Sequence, residues 1–211
     1  KVVAHEYAAY VFTRPGAIET MRKLDSENAR QNGIEDYEFL GNELRVDLPV
    51  KDGDVIQAGD LTFEVLGLPG HTRCSVGYYC KEQDLLLSSE TLGVYDGNST
   101  ITASFLVGYE SSMKAIDRVL ARNASHIISP HVGLLNPEQT RFYLCNIKTA
   151  NQDVARFLLS LAHEGKSTRQ IIEAFKQRFW HGYIKDIYPI DALELNTTIM
   201  IELLKRENPT F

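Results

Sequence analysis

Leu68-Pro69-Gly70-His71-Thr72-Arg73-Cys74-Ser75 decides the reading of this chain. It follows Leu61, Phe63 and Val65, which alternate with polar residues over 60–66 as a half-buried strand does. Pro69-Gly70 breaks that strand, so His71 stands on a loop at a strand end and not on an apolar face. Two other stretches share this form. Leu85-Leu86-Leu87-Ser88-Ser89-Glu90-Thr91-Leu92-Gly93 is an apolar strand ending in a carboxylate, which must be solvated, paired or metal-bound. Ile127-Ile128-Ser129-Pro130-His131-Val132-Gly133 places a second imidazole at a strand end. Two imidazoles and a carboxylate from three strand ends suit a zinc or iron site. On spacing alone, the commoner reading of a strand-end His or Glu is a turn or surface residue.

Around these stretches the chain reads as mixed β and α. Val2 to Ala4 suggest a short buried strand, and Pro15 opens a helical pattern (Ala17, Ile18, Met21, Leu24) that Gly33 can stop. Residues 34–58 are mixed: Val46, Leu48 and Val50 alternate with polar residues and Pro49, before a turn at Lys51-Asp52-Gly53-Asp54. Val76 to Cys80 and Leu85 to Leu87 flank a polar turn as a hairpin does. The run from Thr91 to Gly108 is rich in Gly, Ser, Thr and Tyr and long for a connection, and such loops are often functional. Met113, Ile116, Val119 and Leu120 repeat at helical spacing. From 136 onward the pattern is all helical. Asn136-Pro137-Glu138-Gln139 and Ser167-Thr168-Arg169-Gln170 are capping boxes opening helices over 137–163 and 167–179, and a third helix covers about 191–205. The expected organisation is a core over 1–135 with a helical extension over 136–211 packed on it.

The 211 residues carry 22 Lys and Arg against 28 Asp and Glu, a formal net charge of −6. There is no basic excess to neutralise phosphates, so nucleic acid is not an expected partner. No apolar run approaches the ~18–20 residues that span a bilayer, and no signal-peptide pattern opens the chain, so no membrane partner is expected. Cys74, Cys80 and Cys145 are odd in number and not at metal-ligand spacing, which reads as reduced thiols in a cytoplasmic protein. Lys1-Val2-Val3-Ala4 reads as the middle of a strand, with no initiator Met before it, so a segment is expected to precede residue 1 in the natural protein.

The string from Phe63 to Gly93, with Pro69-Gly70-His71-Thr72, a Ser-bearing hairpin and an apolar strand ending at Glu90, resembles the metallo-β-lactamase superfamily. Ser129-Pro130-His131-Val132-Gly133 is similar to the later Pro-Gly-His-Gly of that family. The helical tail resembles those of hydroxyacylglutathione hydrolases and of the quinolone-signal response type. The resemblance implies an α/β fold, the αββα sandwich, apparently without its N-terminal part and with a C-terminal helical extension. It implies two divalent metal ions in the intact protein, zinc first, with iron or manganese as alternatives. His71 and His131 would each bind one ion, and Glu90 would take the place of the bridging carboxylate. The implied chemistry is hydrolysis of a small ester, thioester or lactone by metal-activated water.

Two departures qualify this. The sequence holds no His-x-His, so the family's His-x-His-x-Asp-His motif and its water-orienting Asp are missing, and no catalytic residue is assigned. The 211-residue chain alone is therefore expected to bind metal poorly, to be inactive and, with open strand edges, to tend toward homo-oligomers. The rival reading is a binding or regulatory protein on the same fold. The second departure is Glu90 in place of Asp. Tyr95, Phe105 and Tyr109 of the long loop, with Glu194 and Asn196 of the last helix, are the candidates for lining a small-molecule pocket. His5, His126, His163 and His181 read as structural, and Ser75 and Ser89 lack the Gly-x-Ser-x-Gly elbow of a serine hydrolase.

Overall fold

The computed structural model describes residues 1–207, apart from the side chain of Asn42. Residues 208–211 of the expected extension lie outside the described residues. The chain divides into two compact units, Lys1–Lys51 and Asp52–Phe211.

In the first unit, β1 (Val3–His5) pairs in parallel with β2 (Leu48–Val50), Val3 opposite Leu48. A helix that the apolar pattern did not announce, α1 (Glu6–Val11), begins at once because His5 Nδ1 accepts from the Tyr7 amide at 3.0 Å and caps it. α2 (Pro15–Gln31) starts on Pro15, whose missing N–H is no loss in a first turn, and ends just before Gly33 at φ 70°.

The second unit holds a six-stranded mixed sheet in the order β10-β9-β6-β5-β4-β3. Its strands are β3 (Val55–Ala58), β4 (Leu61–Gly67), β5 (Val76–Cys80), β6 (Leu85–Leu87), β9 (His126–Ser129) and β10 (Gly133–Leu134). β5 and β6 form the expected hairpin, with Tyr78 opposite Leu87. β4 does not keep its alternation to the end: Val65 and Leu66 are both buried, so the strand is enclosed on both sides as it approaches the Pro69-Gly70 break. β6 and β9 are parallel, Leu86 beside Ile127, and need a crossover. That crossover contains the stretch expected as loop. It holds a 3₁₀ turn (Glu90–Leu92), a small antiparallel pair β7 (Val94–Tyr95) and β8 (Ile101–Thr102), and then α3 (Tyr109–Arg122).

α4 (Pro137–His163) and α5 (Thr168–Phe179) open on the two capping boxes, with Asn136 and Ser167 as caps, and α6 (Ile184–Ile187) precedes α7 (Ile190–Glu207). These helices are not a separate layer. Leu66, Leu86 and Ile127 of the sheet share one core with Ile116 and Val119 of α3 and Tyr143 and Ile147 of α4. Val94, Ala103 and Phe105 of the crossover share a second core with α4, α5 and α7. Among the described residues no helix is long and apolar enough to cross a membrane.

Candidate metal centre

The loop after β4 is shaped by its own short polar groups. Thr72 N donates to Ser75 Oγ at 3.1 Å, the two hydroxyls lie 2.8 Å apart, and Leu68 N donates to the Ser75 carbonyl at 2.9 Å. The Gly70 carbonyl accepts from Leu106 N at 2.8 Å and Val107 N at 2.9 Å, which fastens the loop to the end of the crossover. Gly70 is required by close approach: a Cβ there would lie 3.0 Å from Ser112 Cα and overlap the Ser112 hydroxyl and the Thr91 methyl. His71, next in line, is thereby held against the loop of Glu90. Its amide donates to Thr91 Oγ1 at 3.1 Å, and Thr91 Oγ1 donates to the Leu68 carbonyl at 2.7 Å.

Glu90 opens the 3₁₀ turn after β6, where the Ser89 side chain accepts from Thr91 N. His131 sits in the tight return between β9 and β10, where Gly133 pairs back on Ser129. So short a return places His131 at φ 68°, in the left-handed region that residues with a Cβ seldom occupy. Backbone strain of this kind gathers at functional sites.

The three side chains meet. Glu90 Oε2 lies 2.9 Å from His71 Nε2, and Glu90 Oε1 is in hydrogen-bond contact with His131 Nε2, so one carboxylate bridges two imidazoles. His71 Nδ1 faces away, 2.7 Å from Ser104 Oγ. Side-chain exposures of 21%, 28% and 34% for His71, Glu90 and His131 leave the cluster open to solvent on one side. Burial alone would raise the Glu90 carboxyl, but the hydrogen bonds from His131 and His71 outweigh it and hold the group well below the usual carboxylate range. His131 is correspondingly pushed up, chiefly by its hydrogen bond to Glu90.

Two imidazole nitrogens and a carboxylate are a donor set that zinc accepts. Among the described residues, however, no group of three or more His, Cys, Asp or Glu side chains is arranged so that it could hold a metal ion. The reason is visible in the contacts: the donor atoms touch one another. Ligands of a tetrahedral ion, with bonds of ~2.0–2.2 Å, stand roughly 3.3–3.6 Å apart, so small side-chain rotations separate the two states. The donor types suit a metal, but as they stand they pair with one another and do not form a first shell.

The pocket candidates fall in different places. Tyr95 is fully buried and stacks on Tyr143 and Phe142, and Phe105 is fully buried with its ring meeting the edge of Tyr109. Glu194 pairs with Lys176 of α5 at 2.8 Å. Asn196 donates to the Tyr188 hydroxyl at 2.8 Å. The sequence reading missed Thr91 and Ser104, whose burial inside apolar runs was the available signal. The three cysteines are unpaired, and His126, His163 and His181 are not part of the cluster.

Comparison with known proteins follows the same line. The family model of the metallo-beta-lactamase superfamily matches residues 1–131. The bovine acyl-coenzyme A thioesterase MBLAC2 is 34% identical over 101 residues, 46% of this chain and 36% of that protein. The hydroxyacylglutathione hydrolase of Ectopseudomonas mendocina is 41% identical over 46 residues, 22% of this chain and 18% of that protein. The matches thus span about a third or less of these relatives' length. A metallo-beta-lactamase family protein of Thermus thermophilus has the same fold, with a TM-score of 0.60 at 19% identity over 98% of this chain and 67% of that one. An archaeal superfamily protein from Sulfolobus tokodaii gives 0.52 at 17% identity over 69% and 57%. With more than half its length matched by the family model, and its Pro-Gly-His loop and carboxylate strand meeting as described, this chain belongs to the metallo-beta-lactamase superfamily.

Proposed function

We propose that this chain carries part of the centre of a metal-dependent hydrolase acting on a small thioester or ester. The observation that carries the reading is the Glu90 carboxylate held between His71 Nε2 and His131 Nε2, three groups from three loops with one face open. The thioester preference rests on relatives described as an acyl-coenzyme A thioesterase and a hydroxyacylglutathione hydrolase.

In this reading His71 and His131 would hold divalent ions through Nε2, with Glu90 as a further carboxylate donor. A bound zinc, iron or manganese supplies Lewis acidity, activating water near neutral pH and polarising the attacked carbonyl. The chain's own contribution is geometry. Thr91 ties the His71 loop to the Glu90 turn, and Ser104 holds the Nδ1 side of the ring while Nε2 faces Glu90. Hydrogen-bonded neighbours of this kind orient ligands and tune their basicity.

The test is metal content and turnover of the protein in its natural length, with acyl-coenzyme A, hydroxyacylglutathione and p-nitrophenyl ester substrates. His71→Ala and His131→Ala should lower both together. A natural-length protein that is metal-free and inert would favour the rival, a binding or regulatory role. The absence of His-x-His from the 211 residues is what keeps that rival in view.

A further inference from the structure

The turn that carries Glu90 is held from α4 as well as from the His71 loop. Asn151, in the middle of α4, has no exposed surface. Its Nδ2 donates to the Leu92 carbonyl at 3.1 Å and to the Ile147 carbonyl at 2.8 Å. Both neighbours are carbonyls, which only accept, so the amide nitrogen must be the atom that faces them. Two helical turns before it, the hydroxyl of the fully buried Tyr143 donates to the Gly93 carbonyl at 3.4 Å, and its ring stacks on Tyr95. Leu92 and Gly93 close the 3₁₀ turn that Glu90 opens. Leu92 N donates to the Ser89 carbonyl at 3.2 Å, and Gly93 N donates to the Glu90 carbonyl at 2.9 Å. A hold on their carbonyls is therefore a hold on Glu90.

The rest of this contact is apolar. Leu92, Ile147, Leu66 and Ile116 share one core. Apolar contact is non-directional and leaves a turn free to slide along a helix, whereas hydrogen bonds from a buried amide fix its place. Asn151 gives that direction at a cost, since its Oδ1 has no partner among the described residues. A buried polar atom left so is destabilising and calls for a reason. The reason lies at the head of the turn. Glu90 reaches both imidazoles at once, with Oε2 2.9 Å from His71 Nε2 and Oε1 in hydrogen-bond contact with His131 Nε2. A displacement of about 1 Å would break one of these contacts.

We propose that Asn151 is a positioning residue for Glu90, with the Tyr143 hydroxyl as a weaker second hold. Together they set where the carboxylate stands between His71 and His131, and they make α4 part of the centre's support and not only its cover. That Glu90 serves a reaction rests on the function proposed above. That Asn151 sets the place of its carboxylate can be seen without metal or substrate.

The experiment compares ring ¹H–¹⁵N correlations of His71 and His131 at one pH, in histidine-labelled protein of natural length after chelation. The signals are assigned with His71→Gln and His131→Gln. Glu90→Gln gives the displacement that loss of the carboxylate produces. Asn151→Leu keeps the branching and removes both N–H donors. It should displace the His71 and His131 signals in the direction of Glu90→Gln and leave that of His126, exposed on β9, in place. Asn151→Ala, which adds no bulk, should do the same, and it carries the test if the leucine variant does not fold. Tyr143→Phe loses one long hydrogen bond, keeps the ring, and should displace both signals the same way by less. An asparagine that only fills the core would lower the melting temperature on substitution and leave both signals where they are; that result overturns the proposal. Turnover tests the proposed function separately. Displaced signals in an inert protein keep the role of Asn151 and remove the reaction, and unmoved signals in an active protein do the reverse.

Discussion

Replacing Thr91 by valine tests the tie between the His71 and Glu90 loops. Thr91 has no exposed surface, and its Oγ1 both donates to the Leu68 carbonyl at 2.7 Å and accepts from the His71 amide at 3.1 Å. Valine keeps the shape and removes the hydroxyl. An unmade buried hydrogen bond costs ~1–3 kcal/mol. Leu68 is fully buried, so its carbonyl finds no water and stands in the middle of that range, about 2 kcal/mol. His71 is partly exposed, so its amide recovers some solvation and contributes about 1 kcal/mol. The added methyl returns less than ~1 kcal/mol. The net loss is about 2–3 kcal/mol, a fall in Tm of about 4–12 °C for a unit of this size. Thr91→Ser is the control: it keeps both hydrogen bonds, loses only the methyl beside Gly70, and should cost about 1 kcal/mol. Urea and thermal unfolding followed by circular dichroism measure both variants. If Thr91→Val is as stable as Thr91→Ser, the hydroxyl is not the tie and the argument for how His71 is held is wrong.

Gly70→Ala should destabilise by ~1–3 kcal/mol, because the new Cβ meets Ser112 of α3 and the Thr91 methyl at once; an unchanged melting temperature would show that α3 does not set the glycine. The Asp84 carboxyl is lowered from 3.8 by the Ser125 hydroxyl and amide and then by Tyr79, so its contribution is present above about 3.8 and lost as pH falls through its lower folded value. Asp84→Asn should therefore be less stable than wild type at pH 6 to 7 and lose less on acidification, and equal acid slopes in pH-dependent urea titrations would refute this. Glu90→Gln should lower zinc retained after dialysis of the natural-length protein roughly tenfold or more, whereas Glu90→Asp, which restores the family's usual carboxylate, should retain it. Similar zinc content in the glutamine variant and wild type would remove Glu90 from the centre.

How much was legible depends on how far each signal reaches along the chain. The α4 start was readable because Asn136 and Gln139 cap each other within one turn, and the β5–β6 hairpin because its two strands and their turn are contiguous. α1 escaped because its cap is the imidazole of His5, a residue type rarely used there. β7 and β8 escaped because two-residue strands have no period to detect. The three metal candidates were nameable one at a time from strand ends, and from resemblance as a set. That one carboxylate lies between both imidazoles depended on the parallel register that sets β9 beside β6 and on the three-residue return that turns His131 back toward Glu90.

By itself, then, the sequence determined the local grammar: strand and helix periods, breakers, caps, and the placing of two histidines and a glutamate at strand ends. These follow from forces acting within a few residues, where side-chain direction and backbone preference are nearly independent of the rest of the molecule. Only the tertiary structure decided that Gly70 must be glycine, because α3 comes to within van der Waals contact of it. Only the tertiary structure decided that Ser104 lies against His71 while Glu194 is engaged by Lys176. Those assignments come from close packing and from the need of every buried polar atom for a partner, and which partner is in reach is set by the fold as a whole.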